Sequence, residues 1–162
     1  MTVFSSTMIS TTGPCRKYLD TLLQYYEEEV AGEAEFYDLA EHFSERDKTI
    51  LLARIERVAA ESVKPLLEKY GLVPRDDATL HEEGRNFVEG YKSWSWERYL
   101  NYVVERFPAY LDDFHNLEAM APAEDLPALR KLTEHELAVI DFANRELAGE
   151  ANSTAPLLEY LK

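Results

Sequence analysis

The sequence predicts an all-α protein: two antiparallel helical hairpins joined by one long connection, with a short helix at the C-terminus. Three observations point there. Apolar residues recur three and four apart in four segments long enough for bundle helices. Gly and Pro are scarce, at 6 and 7 of 162 residues, while Glu, Leu and Ala abound, a composition that favours helix. Two of the breaks between these segments are short, which makes the flanking helices antiparallel neighbours, and one is long.

The first helix is expected over about Pro14 to Phe43. Thr12 or Gly13 can cap it, and Pro14 suits a first turn. Its stripe is Leu19, Leu22, Leu23, Tyr26, Val30, Glu33, Tyr37 and Ala40, flanked by Phe36 and Phe43. After a turn at Ser44–Asp47 the second helix runs to about Tyr70, with Leu52, Ile55, Ala59, Val63 and Leu66 on its apolar face. Gly71 stops it. Pro65, inside the pattern, predicts a kink. Residues Leu72 to Ser93 form the long connection, with a short helix expected within Leu80 to Tyr91. The third helix spans about Trp94 to Ala119. Its stripe includes Leu100, Val103, Phe107, Tyr110 and Phe114, and Pro108 predicts a second kink. Asp125 is the expected N-cap of the fourth helix, which ends near Ala148 at Gly149. Thr154 and Pro156 open the last short helix, with Leu157, Leu158 and Leu161 packing back.

This length fits one domain, residues 13–162, preceded by a loose Ser/Thr-rich segment, residues 1–12. That segment has neither the basic start nor the apolar core of a signal peptide. The net charge of −14 argues against nucleic-acid binding, which needs a basic face, and against anionic membrane surfaces. No apolar run reaches membrane-spanning length. Cys15 is the sole cysteine, so no intrachain disulfide forms. The expectation is a soluble cytoplasmic protein.

Three glutamates interrupt otherwise apolar helix faces: Glu33 in the first helix, Glu56 in the second and Glu136 in the fourth. A carboxylate in a face built for burial is costly unless it meets a cation, a proton or hydrogen-bond donors. Glu33 lies 12 residues before Glu45 and Glu56 lies 11 after it, so a hairpin turning there sets the two at one level. Glu61, with Arg57 and Lys64 nearby, reads instead as a solvated ion pair. His135 adjoins Glu136 and could reach the edge of the site or support it from behind. Asp112 and His115 have ligand spacing but lie on a polar face, and His42 and His81 sit near turns. The candidate metal ligands are therefore Glu33, Glu56, Glu136 and His135. The competing reading makes these acids structural, protonated or hydrogen-bonded to tyrosines or Arg54.

At Gly32-Glu33-Ala34-Glu35-Phe36-Tyr37, at His135-Glu136-Leu137-Ala138, and at Phe142-Ala143 with Glu146-Leu147-Ala148-Gly149, the chain resembles the ferritin-like superfamily. It is most similar to its small bacterial members, over roughly Tyr18 to Gly149. The resemblance implies a ferritin-like four-helix bundle, often a homodimer, with iron or manganese in its core and oxidase or oxygenase chemistry. It matches Glu33 to the first-helix glutamate, and Glu56 and Glu136 to the glutamates of two Glu-x-x-His pairs. The partner histidine positions hold Ala59 and Val139, and the third helix offers no core acid. Two functions follow: a metal-associated oxidase or oxygenase with a degenerate carboxylate site, or a metal-free helical module whose aromatic interior holds a small apolar ligand or a partner. Iron storage fits less well, because a complete oxidation site is missing.

Overall fold

The computed structural model describes residues 13–162; the expected loose segment, residues 1–12, lies outside them. The described chain is all-helical, with six α-helices: α1 (Arg16–Leu39), α2 (Arg46–Lys69), α3 (Asp77–Phe87), α4 (Trp96–Met120), α5 (Leu126–Leu147) and α6 (Ala155–Tyr160). The helices α1 and α2 pack as one hairpin and α4 and α5 as another, and α2 lies against α5 to join the two. None of the described helices is long and apolar enough to cross a membrane.

The stops fall where the glycines put them. Gly71 and Gly149 adopt φ of +64° and +71°, a left-handed conformation that glycine enters without a Cβ penalty, just beyond α2 and α5. The N–H of Leu72 closes back on the Leu67 carbonyl at 2.9 Å, so orphan carbonyls of the last turn are satisfied. Two starts are capped by a short polar side chain: Asp76 accepts from the Thr79 N–H at 2.8 Å and Ser95 from the Arg98 N–H at 3.1 Å. Pro65 and Pro108 lie within α2 and α4, which continue through them. Both are exposed, so the carbonyl each ring frees has access to water.

Asp125 caps nothing with its side chain. It is fully buried and accepts from the hydroxyls of Tyr18 at 2.7 Å and Tyr70 at 2.5 Å, and from Lys69 Nζ at 2.7 Å. Burial pushes its carboxyl up, but these donors outweigh burial and hold it below the usual range.

About half of the long connection is α3, and α3 packs on α1. The two approach closely at one residue: a Cβ on Gly84 would overlap the Ala31 carbonyl oxygen. This cover gives α1 two buried sides and displaces the inward stripe. Leu22, Glu29, Phe36 and Phe43, seven apart, are buried, whereas Tyr37 is 44% exposed. The expectation that Tyr37 belongs to the core is corrected accordingly. In α6, Leu157 and Tyr160 are buried and Leu158 is exposed.

The apolar interior is split. One cluster gathers Leu39, Ile55, Tyr99, Phe142 and Leu157; the other gathers Tyr18, Leu22, Val63, Leu117 and Leu129. Along α1, α2 and α5 the change from one to the other falls near the same level, and the buried residues there include Glu29, Glu56, Thr133, His135 and Glu136.

Gly84→Ala is expected to cost about 1–3 kcal/mol, because α3 must lift from α1; the gain of about 1 kcal/mol that Ala brings to a helix does not offset this. A urea titration checks it, with a lower midpoint at unchanged slope as the expected result.

Candidate metal centre

Glu29, Glu56, His135 and Glu136 are 5%, 7%, 1% and 4% exposed, so all four are more than nine-tenths out of water. One donor atom from each of Glu29, Glu56 and His135 lies within 4.8 Å of the other two, a separation one metal ion can span. From His135 Nε2 the distances are 3.0 Å to Glu29 Oε2, 3.4 Å to Glu136 Oε2 and 4.0 Å to Glu56 Oε1.

The histidine is oriented from behind. Its Nδ1 contacts the backbone carbonyl of Leu132, one turn earlier in α5. A carbonyl only accepts, so Nδ1 carries the proton and Nε2 faces the carboxylates, the arrangement in which a metal-binding histidine is held. The Phe114 and Tyr160 rings pack beside the imidazole, at 5.4 and 6.4 Å between centroids.

The site has more acceptors than donors. Among the described residues, the buried side-chain polar atoms that lack a hydrogen-bond partner are Glu29 Oε2, His135 Nε2 and Glu136 Oε1. The 3.0 Å contact between the first two is close enough for a hydrogen bond but out of line for one. A cation among converging lone pairs satisfies what no side chain here does.

Without a cation the site holds protons. Burial pushes Glu29 up to about 8, against a hydrogen bond from Glu56 that pulls it down. Glu56 rises well above the carboxylate range through burial and through the charge of Glu29, to which it donates. Burial raises Glu136 to about 8 and Glu35, further along α1, to about 7. The hydrogen bond between Glu29 and Glu56 is that of an acid paired with a carboxylate.

Beside the ligands lies a cavity of about 350 Å³ between α1, α3 and α4. Glu29, Glu56 and Glu136 form part of its wall. At this level α4 contributes Phe107 and Tyr110 and no acid. Phe87 and Tyr110, 62% and 45% exposed, stand where the cavity reaches the surface.

The structure brings together three of the four residues expected from the sequence: Glu56 and His135 within the group, and Glu136 alongside it. Glu33 is elsewhere. It lies about 40° round the helix from Glu29, four residues at about 100° each. There it accepts from Arg57 Nε at 2.6 Å, with His81 at 3.8 Å. Arg57 also reaches Asp77 at 3.1 Å, so Glu33 is tied into an ion-pair network that joins α1, α2 and α3. Glu29 holds the level that Glu33 was expected to hold. Its signal, the spacing Leu22–Glu29–Phe36, is masked by the acidic run Glu27-Glu28-Glu29. Tyr110 is half exposed at the cavity rather than buried in a core stripe, and Arg54, Asp112 and His115 are exposed.

The chain matches no family model, no curated protein and no solved structure.

Gly32 supplies a sharp test of this geometry. A Cβ there would stand 2.8 Å from Glu56 Oε2, the mobile end of a side chain. Gly32→Ala is expected to fold with equal or slightly greater stability, since Ala favours helix by up to about 1 kcal/mol, while displacing the Glu56 carboxylate. Titration with Mn(II), read by calorimetry, is expected to show affinity lowered at least about tenfold, as for other perturbations of ligand orientation.

The protons give a second prediction. A carboxyl raised on folding stabilises the fold fully below its unfolded value of about 4.5, and that contribution is lost as pH rises through the folded value. Metal-free protein is therefore expected to melt at progressively lower temperature from pH 5 to pH 8.5. Glu29→Gln flattens the trend. Metal opposes it, because metal binds the deprotonated carboxylates and stabilises more as pH rises.

Proposed function

We propose that this protein is a ferritin-like metalloprotein that holds one iron or manganese ion at Glu29, Glu56 and His135, at the inner end of an aromatic cavity. The observation that carries the reading is that two orphaned buried acceptors, on Glu29 and His135, belong with Glu56 to one group of a size that a single ion can span. Two carboxylates and one imidazole make a mixed oxygen–nitrogen set suited to iron or manganese. The ferritin-like assignment draws support from two helical hairpins joined by a long connection, and from core acids that α1, α2 and α5 set at one level. The ligand set is reduced: Ala59 and Val139 stand where histidines would, and α4 gives aromatic rings instead of an acid.

Bound iron or manganese with open positions supplies oxygen chemistry. The surrounding residues supply the rest. The Leu132 carbonyl holds His135 in one orientation. Glu136, unpartnered at Oε1 and beside His135, is placed to hold a proton at the edge of the site. The aromatic wall limits water around the ligands.

A second reading rests on the Glu29–Glu56 hydrogen bond. Acids that share protons satisfy part of the site without metal and make it a neutral structural layer in a binding module. Metal content by mass spectrometry decides between them, on chelator-free protein and again after anaerobic Fe(II) or Mn(II) loading and desalting. The expected result is one ion per chain, lost in Glu29→Ala and in His135→Ala and retained in Glu33→Ala. No retained metal in the wild type supports the neutral layer, as does a Glu29→Gln variant of equal or higher stability.

A further inference from the structure

The cavity beside the proposed metal ligands has a composition of its own. Its wall carries five glutamates, Glu28, Glu29, Glu35, Glu56 and Glu136, and no lysine, arginine or histidine. The rest is mostly aromatic, with Tyr99, Tyr102, Phe107, Tyr110 and Phe114 among it. We propose that this cavity binds a small organic ammonium ion, a primary amine on a compact apolar body, with Glu35 as its charge partner and the aromatic faces around the rest.

Three observations carry this. Glu35 projects from α1 into the cavity wall, largely out of water, and makes no hydrogen bond or ion pair among the described residues. Three acids at helix interfaces outside this cavity have their donors: Asp125 has two tyrosines and a lysine, Glu146 has Lys48, Trp96 and Ser153, and Glu33 has Arg57. Glu136 Oε1, in the same wall and buried, is likewise without a donor. The volume, about 350 Å³, is far larger than one ion with its waters and falls in the range of small-ligand pockets.

The chemistry narrows the occupant. A hard inorganic cation needs about six oxygen ligands, and most of the wall other than the glutamates is aromatic. Aromatic faces attract large, weakly hydrated cations and tolerate their apolar parts. A neutral apolar ligand would leave Glu35 and Glu136 desolvated and unpaired, and an anion would meet five carboxyl groups. The net charge of −14 favours the approach of a cation from solution. The inference stands on the cavity and does not require the metal.

Isothermal calorimetry on the full-length chain, metal-free and Mn(II)-loaded, tests it with three probes of one size: phenethylamine, 2-phenylethanol and 3-phenylpropionate. The amine is expected to bind at least tenfold more tightly than the alcohol, and the carboxylate least. Glu35→Gln is expected to lower amine affinity at least tenfold with melting temperature equal or higher and metal content unchanged. Tyr110→Leu is expected to lower it about twofold to fivefold, the scale of one cation–π contact. Equal binding of amine and alcohol overturns the proposal, as does wild-type amine affinity in Glu35→Gln, or no amine binding by either form of the protein. Amine binding to a protein that retains no metal removes the metal reading and leaves this one. Metal retention without amine binding does the reverse.

Discussion

The structure depends on how this chain treats acids taken out of water. At both ends of α5 a buried or half-buried acid is fully supplied with donors. Asp125, just before α5, gathers Tyr18 of α1 and Lys69 and Tyr70 at the end of α2. Glu146, in the last turn of α5, gathers Lys48 of α2 at 2.7 Å, Trp96 of α4 at 3.2 Å and Ser153 ahead of α6 at 2.6 Å. Burial alone would raise both carboxyls, but their donors win and both end below the usual range. These two acids are charged and paired, and they fix the helices against each other at either end. Between them, at the middle of the same helix, the balance is reversed. Glu29, Glu56 and Glu136 are buried, have too few donors, and are raised. Asp125 too is out of contact with water, so the contrast with it lies in the arrangement of partners.

That difference explains why the interior is divided. Two apolar clusters could merge into one continuous core if residues 29, 56, 135 and 136 were apolar, and such a core would be more stable than one interrupted by desolvated acids. The chain instead keeps a polar layer and shapes neighbours to it. Gly32 has no side chain where Glu56 needs room, and the Leu132 carbonyl aims His135. α6 closes over the imidazole through Tyr160, whose hydroxyl is anchored on the Lys131 carbonyl at 2.8 Å. A layer costly to bury and supported on several sides is the pattern of a site that accepts protons or a cation.

The all-helical class, the two hairpins and the glycine stops were legible because each depends on local sequence: period, turn length and the conformational freedom of Gly71 and Gly149. Glu56 and Glu136 were legible because each is a single acid among Leu, Ala, Val and Ile. Three features were not. Glu33 and Glu29 differ by a small rotation on one helix, and what decides between them is α3, whose packing on α1 is a long-range event that no pattern within α1 announces. His135 is legible as a candidate at the edge of the site, but its full burial is not, because a single buried face on α5 sets it about 100° from Glu136. With α2, α4 and α6 around it, α5 buries Leu132, Thr133, His135, Glu136, Ala138 and Val139, more than one stripe. Asp125 has the sequence position of a cap, and only the fold reveals Tyr18, more than a hundred residues away, as its donor.

The fourth side of the polar layer decides what can reach it. α1, α2 and α5 present acids or imidazole at that level, while α4 presents Phe107 and Tyr110 and leaves open space. Had α4 supplied another carboxylate, the site would be surrounded and the cavity largely filled. With aromatic rings there, the ligands are reached from one direction, past Phe87 and Tyr110, along a wall that holds Glu35. The absence of an acid on α4 at this level and the presence of a pocket are thus one structural fact. The inner end lies beside a cavity whose wall is acidic on the α1 side and aromatic on the α4 side.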